Sequence, residues 1–380
     1  MQHPRSISII IAVSASIIMS CQPQAPATPS TSVTPVAEKA IVLSETELIQ
    51  KIGSDETVFT RQADFQKRPF QPYLGDKWIG NAISYGCYRD GQAPNSVGPS
   101  EEEILEDLNI LSEHWNLIRV YGSDDDSQRV LKVIHDNQLP FRVMLGIWLE
   151  NETDRPERKQ LNLEQVARGI TLANRYPDEV IAVNVGNESQ VDWSWHHMDM
   201  QDLIKYIRAV RQYTTLPVTT ADDYNFWNKP ESKLVASEID FLCLHAYPLW
   251  NGKTLEEAVS WIDTVFNSAL EFHPDMFIAL SETGWATLYD PSKQGPGEEG
   301  ALIKAEVSVE AQEVFLNEFS AWVDSNQVTA FLFEAFDEPW KGGGEQSGSD
   351  VMEKHWGVYN EDRTPKVSLT NYLNKQTQKD

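Results

Sequence analysis

The chain has 380 residues, enough for two or three ordinary domains or for one α/β barrel, which alone takes about 250 residues. Its 57 acidic residues outnumber the 31 basic ones and give a formal charge of −26. This charge repels phosphate backbones and anionic lipid, so no nucleic-acid partner is expected, whereas a neutral polysaccharide is not excluded.

Residues 1–21 predict an export signal. Ile7 to Met19 is an apolar run that is too short to span a bilayer, which takes about 20 apolar residues. The run ends at Ser20-Cys21, which resembles a bacterial lipobox, so we expect lipidation of Cys21; an ordinary signal peptide cut nearby is the alternative. The expected location is the bacterial cell envelope (outer membrane or cell surface), with the lipid anchor as the only membrane contact.

Residues 22–40 are rich in Pro, Ser and Thr and predict a disordered tether, because they hold too little apolar surface to fold. Residues 41–76 predict an N-terminal arm that packs on the following domain, with a short helix at Leu43–Ile52. The cysteines are Cys21, Cys87 and Cys243, a sparse odd set that argues against a disulfide framework; a Cys87–Cys243 bridge is the less favoured alternative.

From residue 77 to residue 380 the apolar pattern alternates between strands and helices. The predicted strands are Trp78–Tyr85, Leu117–Tyr121, Phe141–Leu149, Val180–Val185, Leu216–Thr220, Phe241–Leu244, Met276–Leu280 and Val328–Phe336. The predicted helices are Glu101–His114, Ser127–Asn137, Leu163–Arg175, Met200–Tyr213, Ser232–Ser237, Leu255–Phe272, Ala305–Asn326 and Val367–Asn374. This order predicts a (β/α)8 TIM barrel as a single catalytic domain. A doubly wound open sheet is the alternative, but no Gly-x-Gly-x-x-Gly follows a strand.

Aromatic and acidic residues follow the predicted strands, whose carboxyl ends share one face of a barrel. Seven of the 12 tryptophans fall there: Trp148, Trp193, Trp195, Trp227, Trp250, Trp285 and Trp340. Flat apolar rings beside hydrogen-bonding acids suit sugars, whose C–H faces stack while their hydroxyls need polar partners. For any single one of these tryptophans, packing within a loop is the simpler explanation. That explanation accounts poorly for seven tryptophans at strand ends.

Two glutamates end strands four and seven. Glycoside hydrolysis needs two carboxyl groups across the scissile bond, and Glu188 and Glu282 occupy suitable positions. Asn187 could bond a sugar hydroxyl near the reaction centre, and Tyr247 could orient Glu282. A lone glutamate after a strand would more often cap a helix or form a surface ion pair, but the accompanying residues argue against that here.

The motifs Val185-Gly186-Asn187-Glu188, Ser281-Glu282-Thr283-Gly284-Trp285 and Phe336-Asp337-Glu338-Pro339-Trp340-Lys341 resemble glycoside hydrolase family 17. Arg119-Val120-Tyr121-Gly122 and His245-Ala246-Tyr247-Pro248 fit the same family. The resemblance implies a retaining glycoside hydrolase acting on β-1,3-glucan of the laminarin type, by double displacement with Glu188 as acid/base and Glu282 as nucleophile. No cofactor is expected. Residues expected to contact the substrate are Tyr85, Tyr121, Asn187, Tyr247, Trp285, Phe336, Glu338, Trp340 and Lys341.

The resemblance does not decide between hydrolysis and transfer, so a β-1,3-glucanosyltransferase on the same site is one alternative. A surface glucan-binding lipoprotein without activity is another, although a binder would not need both Glu188 and Glu282. No metal site is expected, because His196-His197 lacks ligand spacing. A monomer is expected.

Overall fold

The computed structural model describes residues 43–54, 57–293, 300–342 and 348–376. The predicted signal peptide, the tether and Cys21 lie outside these residues. Within them, no helix is both long enough and apolar enough to cross a membrane.

Eight strands form a closed barrel in which every neighbouring pair is parallel. The strands are β1 Asn81–Ser84, β2 Leu117–Val120, β3 Arg142–Ile147, β4 Val180–Asn187, β5 Val218–Asp223, β6 Leu242–His245, β7 Ile278–Thr283 and β8 Ala330–Leu332. Their burial on both faces fits their β-branched and aliphatic composition. The predicted (β/α)8 barrel is confirmed.

Helices surround the barrel. Those that follow the strands are α1 Glu101–Ser112, α2 Asp125–Asp136, α3 Lys159–Arg175, α4 Met200–Tyr213, α5 Ser232–Ala236, α6 Leu255–Phe272, α7 Val309–Asn326 and α8 Val367–Gln376. Helix α1 begins in a capping box, in which the Ser100 hydroxyl accepts from the Glu103 N–H and the Glu103 carboxylate accepts from the Ser100 N–H. Shorter helices span Glu45–Gly53, Tyr224–Trp227 and Gly348–Glu353.

The first and last predicted strands are shorter than expected. Lys77–Trp78 leaves the barrel and pairs with Tyr73–Leu74 in a two-stranded antiparallel ribbon, so β1 begins only at Asn81. Gly80 lies between this ribbon and β1. A side chain at Gly80 would overlap the Trp78 ring, which folds back over this position. In the last strand, β8, regular pairing stops at Leu332. The rest of the predicted strand, residues 333–336, continues as an irregular segment toward the site.

The segment 57–72 lies across the amino-terminal ends of β5 to β7. The Arg68 guanidinium donates 2.8 Å hydrogen bonds to the carbonyls of Leu216 and Arg211, and the Phe70 ring stacks on Phe241 with centroids 4.3 Å apart. Phe70 thereby joins the apolar layer inside the barrel. This end of the barrel is therefore closed, and the opposite face carries the open cleft.

Cys87 and Cys243 are both buried free thiols, so the alternative of a disulfide between them is wrong. Cys243 belongs to the apolar layer inside the barrel, with its Sγ 3.9 Å from the Met144 Sδ. Cys87 lies at the other end of the fold, in the wall of the cleft.

Candidate active site

A cleft of about 820 Å³ lies over the carboxyl ends of the strands. The predicted site residues that line it are Tyr85, Tyr121, Asn187, Glu282, Glu338, Trp340 and Lys341. The cleft continues past Trp148 and Glu150 into a second polar lobe of about 860 Å³, formed by the loops after β1, β2 and β3. The open face of the barrel thus offers room for several linked sugar rings.

Glu282 lies at the end of β7 and is almost completely buried. Its Oε1 accepts a 2.5 Å hydrogen bond from Arg119, and its Oε2 accepts a 2.7 Å bond from the Tyr247 hydroxyl. Burial acts to raise the pKa of this carboxyl, but the attraction of His245 and Arg119 and the bond from Tyr247 hold that pKa below its ordinary value. Glu282 is therefore ionised at neutral pH, as an attacking carboxylate must be.

Arg119 connects Glu282 to the end of β4. Its second guanidinium nitrogen donates a 2.5 Å hydrogen bond to the Asn187 Oδ1, and the guanidinium carbon lies 4.5 Å from the centroid of the Tyr121 ring. The planar fork of arginine suits two acceptors held at a fixed angle. Because its oxygen is occupied in this way, Asn187 retains its amide donors for other partners.

Glu188 is held by an unusual turn at the end of β4. Gly186 and Glu188 both have positive φ, 78° and 48°, and at Gly186 a Cβ would lie 2.6 Å from the Ser189 hydroxyl, so only glycine fits there. The Glu188 N–H donates to the Ala221 carbonyl of β5 at 2.9 Å. The Glu188 side chain is 28% exposed, against 7% for Glu282, so Glu188 has the better access to solvent.

His245, at the end of β6, lies between the two glutamates. Its Nδ1 is 3.1 Å from the Glu188 Oε1, and its Nε2 is 3.2 Å from the Glu282 Oε1. The ring is completely buried. The structure therefore brings the two predicted catalytic residues to opposite edges of one imidazole.

Residues after β8 form a buried cluster with one cation and two carboxyl groups. The Lys341 Nζ donates to both oxygens of Glu334, at 2.8 and 2.7 Å, and lies 2.6 Å from the Glu338 Oε2. Burial raises the pKa of Glu334, whereas Lys341 outweighs burial at Glu338 and lowers that pKa. Glu334, which completes the cluster, was not among the predicted site residues, although it lies only two residues before the motif that contains Glu338 and Lys341.

Aromatic side chains form the walls of the cleft. Trp340 lies edge to face against Tyr88, and its indole N–H donates to Glu338. Trp148 packs against His196, and Trp195, which is 83% exposed, lies at the mouth. Phe333, under the Lys341 Nζ, also lines the cleft but was not predicted, because it reads as part of an apolar strand.

Three residues predicted to contact the substrate lie behind the cleft wall, which corrects their roles. Trp285 is 1% exposed; its ring packs on Phe315 of α7, and its N–H bonds the Glu306 carbonyl. Phe336 is buried between Tyr85 and the Arg363 guanidinium. Tyr247 is buried with its hydroxyl on Glu282, so it orients that carboxylate and does not line the cleft.

The prediction that seven tryptophans converge on the site also needs correction. Trp148, Trp195 and Trp340 line the cleft, but Trp227 is completely buried and donates to the Cys243 carbonyl. In the described part of the chain, no group of three or more His, Cys, Asp or Glu side chains is arranged to hold a metal ion.

Known proteins resemble this chain in sequence. Residues 82–357 match the model of the BtgE/BtgC glycoside hydrolase domain. The chain is 26% identical over 292 residues to a glucan 1,3-beta-glucosidase of Arthroderma benhamiae, covering 74% of this chain and 89% of that protein. It is 28% identical over 287 residues to the putative glucan endo-1,3-beta-glucosidase btgC of Aspergillus niger, covering 71% of this chain but only 40% of that relative.

Solved structures show the same fold. The endo-laminarinase of Formosa Hel1_33_131 superposes with a TM-score of 0.67 at 24% identity, over 78% of this chain and 88% of that one. The glycoside hydrolase family 17 β-1,3-glucanosyltransferase of Rhizomucor miehei gives a TM-score of 0.60 at 25% identity, over 76% and 95%. The resemblance to family 17 seen in the motifs is thus supported by independent likenesses, and the chain belongs to the BtgE/BtgC glycoside hydrolase domain family.

Proposed function

We propose that this protein is a retaining glycoside hydrolase that cleaves β-1,3-glucan. The observation that carries the proposal is the pair of glutamates on either side of His245, one buried and held ionised, the other partly exposed. The substrate follows from the relatives, whose names describe glucan 1,3-beta-glucosidases, and from neighbours named as an endo-laminarinase and as a glucanosyltransferase bound to laminaritriose.

In the proposed mechanism, the Glu282 carboxylate attacks the anomeric carbon while the Glu188 carboxyl gives its proton to the departing glycosidic oxygen. Glu282 then carries the sugar as an ester. Glu188, now a carboxylate, removes a proton from water, and that water displaces Glu282 and restores both groups. Arg119 and Tyr247 hold the Glu282 oxygens in place through the cycle, which limits the reorganisation that the reaction needs.

The cleft favours a chain over a single terminal sugar. Because the cleft beside Glu282 continues into the second lobe, several linked glucosyl units have room to bind. We infer that longer laminari-oligosaccharides are better substrates than laminaribiose and that internal bonds are cleaved.

Transfer to a second sugar is the other candidate reaction, because one of the matched structures is a β-1,3-glucanosyltransferase at 25% identity. The exposed ring of Trp195 at the cleft mouth offers a surface on which an acceptor sugar could stack. In that reaction the same glycosyl ester is intercepted by a sugar hydroxyl instead of water.

One experiment tests these proposals together. The protein is incubated with laminarihexaose labelled at its reducing end, and the products are identified over time. Shorter products alone support hydrolysis, and a mixture of internal fragments supports cleavage of internal bonds. Products longer than the substrate identify a transferase. No change in the hexaose would contradict both and favour a glucan-binding protein.

A further inference from the structure

His245 is the one side chain described here as touching both glutamates of the proposed reaction. Neighbouring strands place it there in register, because Asp223 of β5 pairs with His245 and His245 pairs with Glu282 of β7. The two edges of its ring are 3.1 Å from Glu188 and 3.2 Å from Glu282. We propose that His245 is a positioning residue that couples the two glutamates. Because one ring contacts both, a change of charge on one glutamate changes the electrostatic environment of the other. This inference rests on the proposed function.

The charges around the ring come from four strands. Glu188 approaches from β4, Asp223 from β5 and Glu282 from β7, while Arg119 of β2 shares the Glu282 Oε1 with the ring. Burial raises the pKa of Asp223 to about 6, and the nearby Glu188 adds to this, whereas His245 opposes it. The ring is thus buried among three carboxyl groups.

The two contacts of the ring differ in quality. Nδ1 is aligned for a hydrogen bond with Glu188, but Nε2, although 3.2 Å from the Glu282 Oε1, is not aligned for one. We therefore treat the contact with Glu282 as electrostatic. Such a contact acts over a broad range of angles, and in a buried site it is screened little by water.

The proposed reaction moves negative charge from one edge of this ring to the other. When Glu282 forms the glycosyl ester it loses its charge, and Glu188 gains one as it releases its proton to the leaving oxygen. A carboxylate therefore faces the ring before and after the step, and no proton has to leave His245. Because a donor already in place stabilises the new anion, little further reorganisation is required at that moment.

Two substitutions separate the two contacts. The side-chain nitrogen of asparagine lies near the position of Nδ1, and that of glutamine lies near Nε2. His245→Asn keeps a donor for Glu188 and loses the one facing Glu282, whereas His245→Gln does the reverse. We expect kcat/KM to fall by about 10²-fold in both, the cost of a small misplacement at a reacting centre.

The pH profile distinguishes coupling from simple packing. Because the electrostatic attraction of His245 helps to lower the pKa of Glu282, and a neutral amide does not supply it, the acidic limb of kcat/KM should move to higher pH in both variants. In His245→Gln the loss of kcat/KM should also grow as the leaving group becomes poorer, because Glu188 has lost its hydrogen-bond partner. An acidic limb that stays at the wild-type pH in both variants would overturn the proposal.

A second measurement does not depend on those variants folding. The ring of His245 is followed by nitrogen NMR against pH in the wild type, in Glu188→Gln and in Glu282→Gln. Coupling predicts that either glutamate substitution changes the titration of the same ring, and no change in either variant would overturn the proposal. Activity retained in both Glu188→Ala and Glu282→Ala would instead refute the proposed function, so the two failures are distinguishable.

Discussion

The Arg119 guanidinium donates a 2.5 Å hydrogen bond to the Glu282 carboxylate across 163 residues of sequence. Arg119 comes from β2 and Glu282 from β7, so the contact crosses the inside of the barrel. Its second nitrogen reaches Asn187, which places one buried cation between the ends of β4 and β7. The position and the ionisation of Glu282 both depend on this arginine.

Arg119→Lys should therefore be far from conservative. A lysine ammonium cannot hold two acceptors in a fixed plane, so we expect a loss of about 10²-fold in kcat/KM. With a weaker partner the pKa of Glu282 should rise, so more of it is protonated in mild acid and the loss should deepen as pH falls. The measurement is kcat/KM against pH. Arg208→Lys, at an ion pair with Glu238 outside the cleft, is the matched control and should keep the wild-type profile.

The two glutamates should respond differently to removal. Glu282→Ala should abolish turnover of every substrate, because no covalent intermediate can form. Glu188→Ala should still attack an aryl glucoside with a good leaving group, and then accumulate the glycosyl-enzyme because water lacks a general base. Added azide should release this intermediate as the β-glycosyl azide, whose configuration follows from two inversions. An α-azide, or azide rescue of Glu282→Ala alone, would show that the mechanism or the roles are wrong.

Two tryptophans form a matched pair of tests. Trp285→Ala should lower the free energy of unfolding by about 3–5 kcal/mol, because it leaves a cavity against Phe315, with little effect on the KM of the folded fraction. Trp195→Ala should leave stability unchanged and reduce kcat/KM on long oligosaccharides by roughly twofold to tenfold, the worth of one stacked ring. Chemical denaturation and steady-state kinetics on both variants would reveal the reverse pattern if the assignment is wrong.

Removing Lys341 should destabilise the protein in a pH-dependent way. Lys341→Met leaves Glu334 and Glu338 buried together without their cation, and a broken buried pair costs about 3–5 kcal/mol. The pKa of Glu334 is already raised, so its contribution to stability is fully present below the ordinary glutamate range and declines as pH rises through the folded-state value. Without Lys341, the loss of stability with rising pH should be larger. Denaturation midpoints of variant and wild type should differ least near pH 4 and most near pH 8; a constant difference would contradict this account.

The proposed lipid anchor has its own test. Cys21→Ser should leave activity unchanged but release the protein from the membrane fraction, because a Pro/Ser/Thr tether has no membrane affinity of its own. Fractionation of cells that express each form is the measurement. A variant that stays with the membranes would refute anchoring through Cys21.

Much of this protein can be predicted from the sequence alone. Eight apolar runs alternating with amphipathic helices predict the barrel, because a parallel strand buried on both faces must be nearly continuous in apolar residues. The helices Met200–Tyr213 and Leu255–Phe272 were predicted with the bounds that the structure shows. Glu188 and Glu282 could be singled out because strand ends share one face of a barrel wherever they lie in the sequence.

The direction in which each side chain points was decided only by the tertiary structure. Strict alternation from Ala279, which faces the inside of the barrel, would turn Glu282 away from the axis, but a register shift between β6 and β7 brings Glu282 opposite His245. For the same reason the sequence could not show that Trp285 and Phe336 turn into the protein while Trp195 and Phe333 meet the cleft. The apolar pattern predicts where a strand ends, but side-chain directions beyond that point depend on turns and on neighbouring strands that are distant in the sequence.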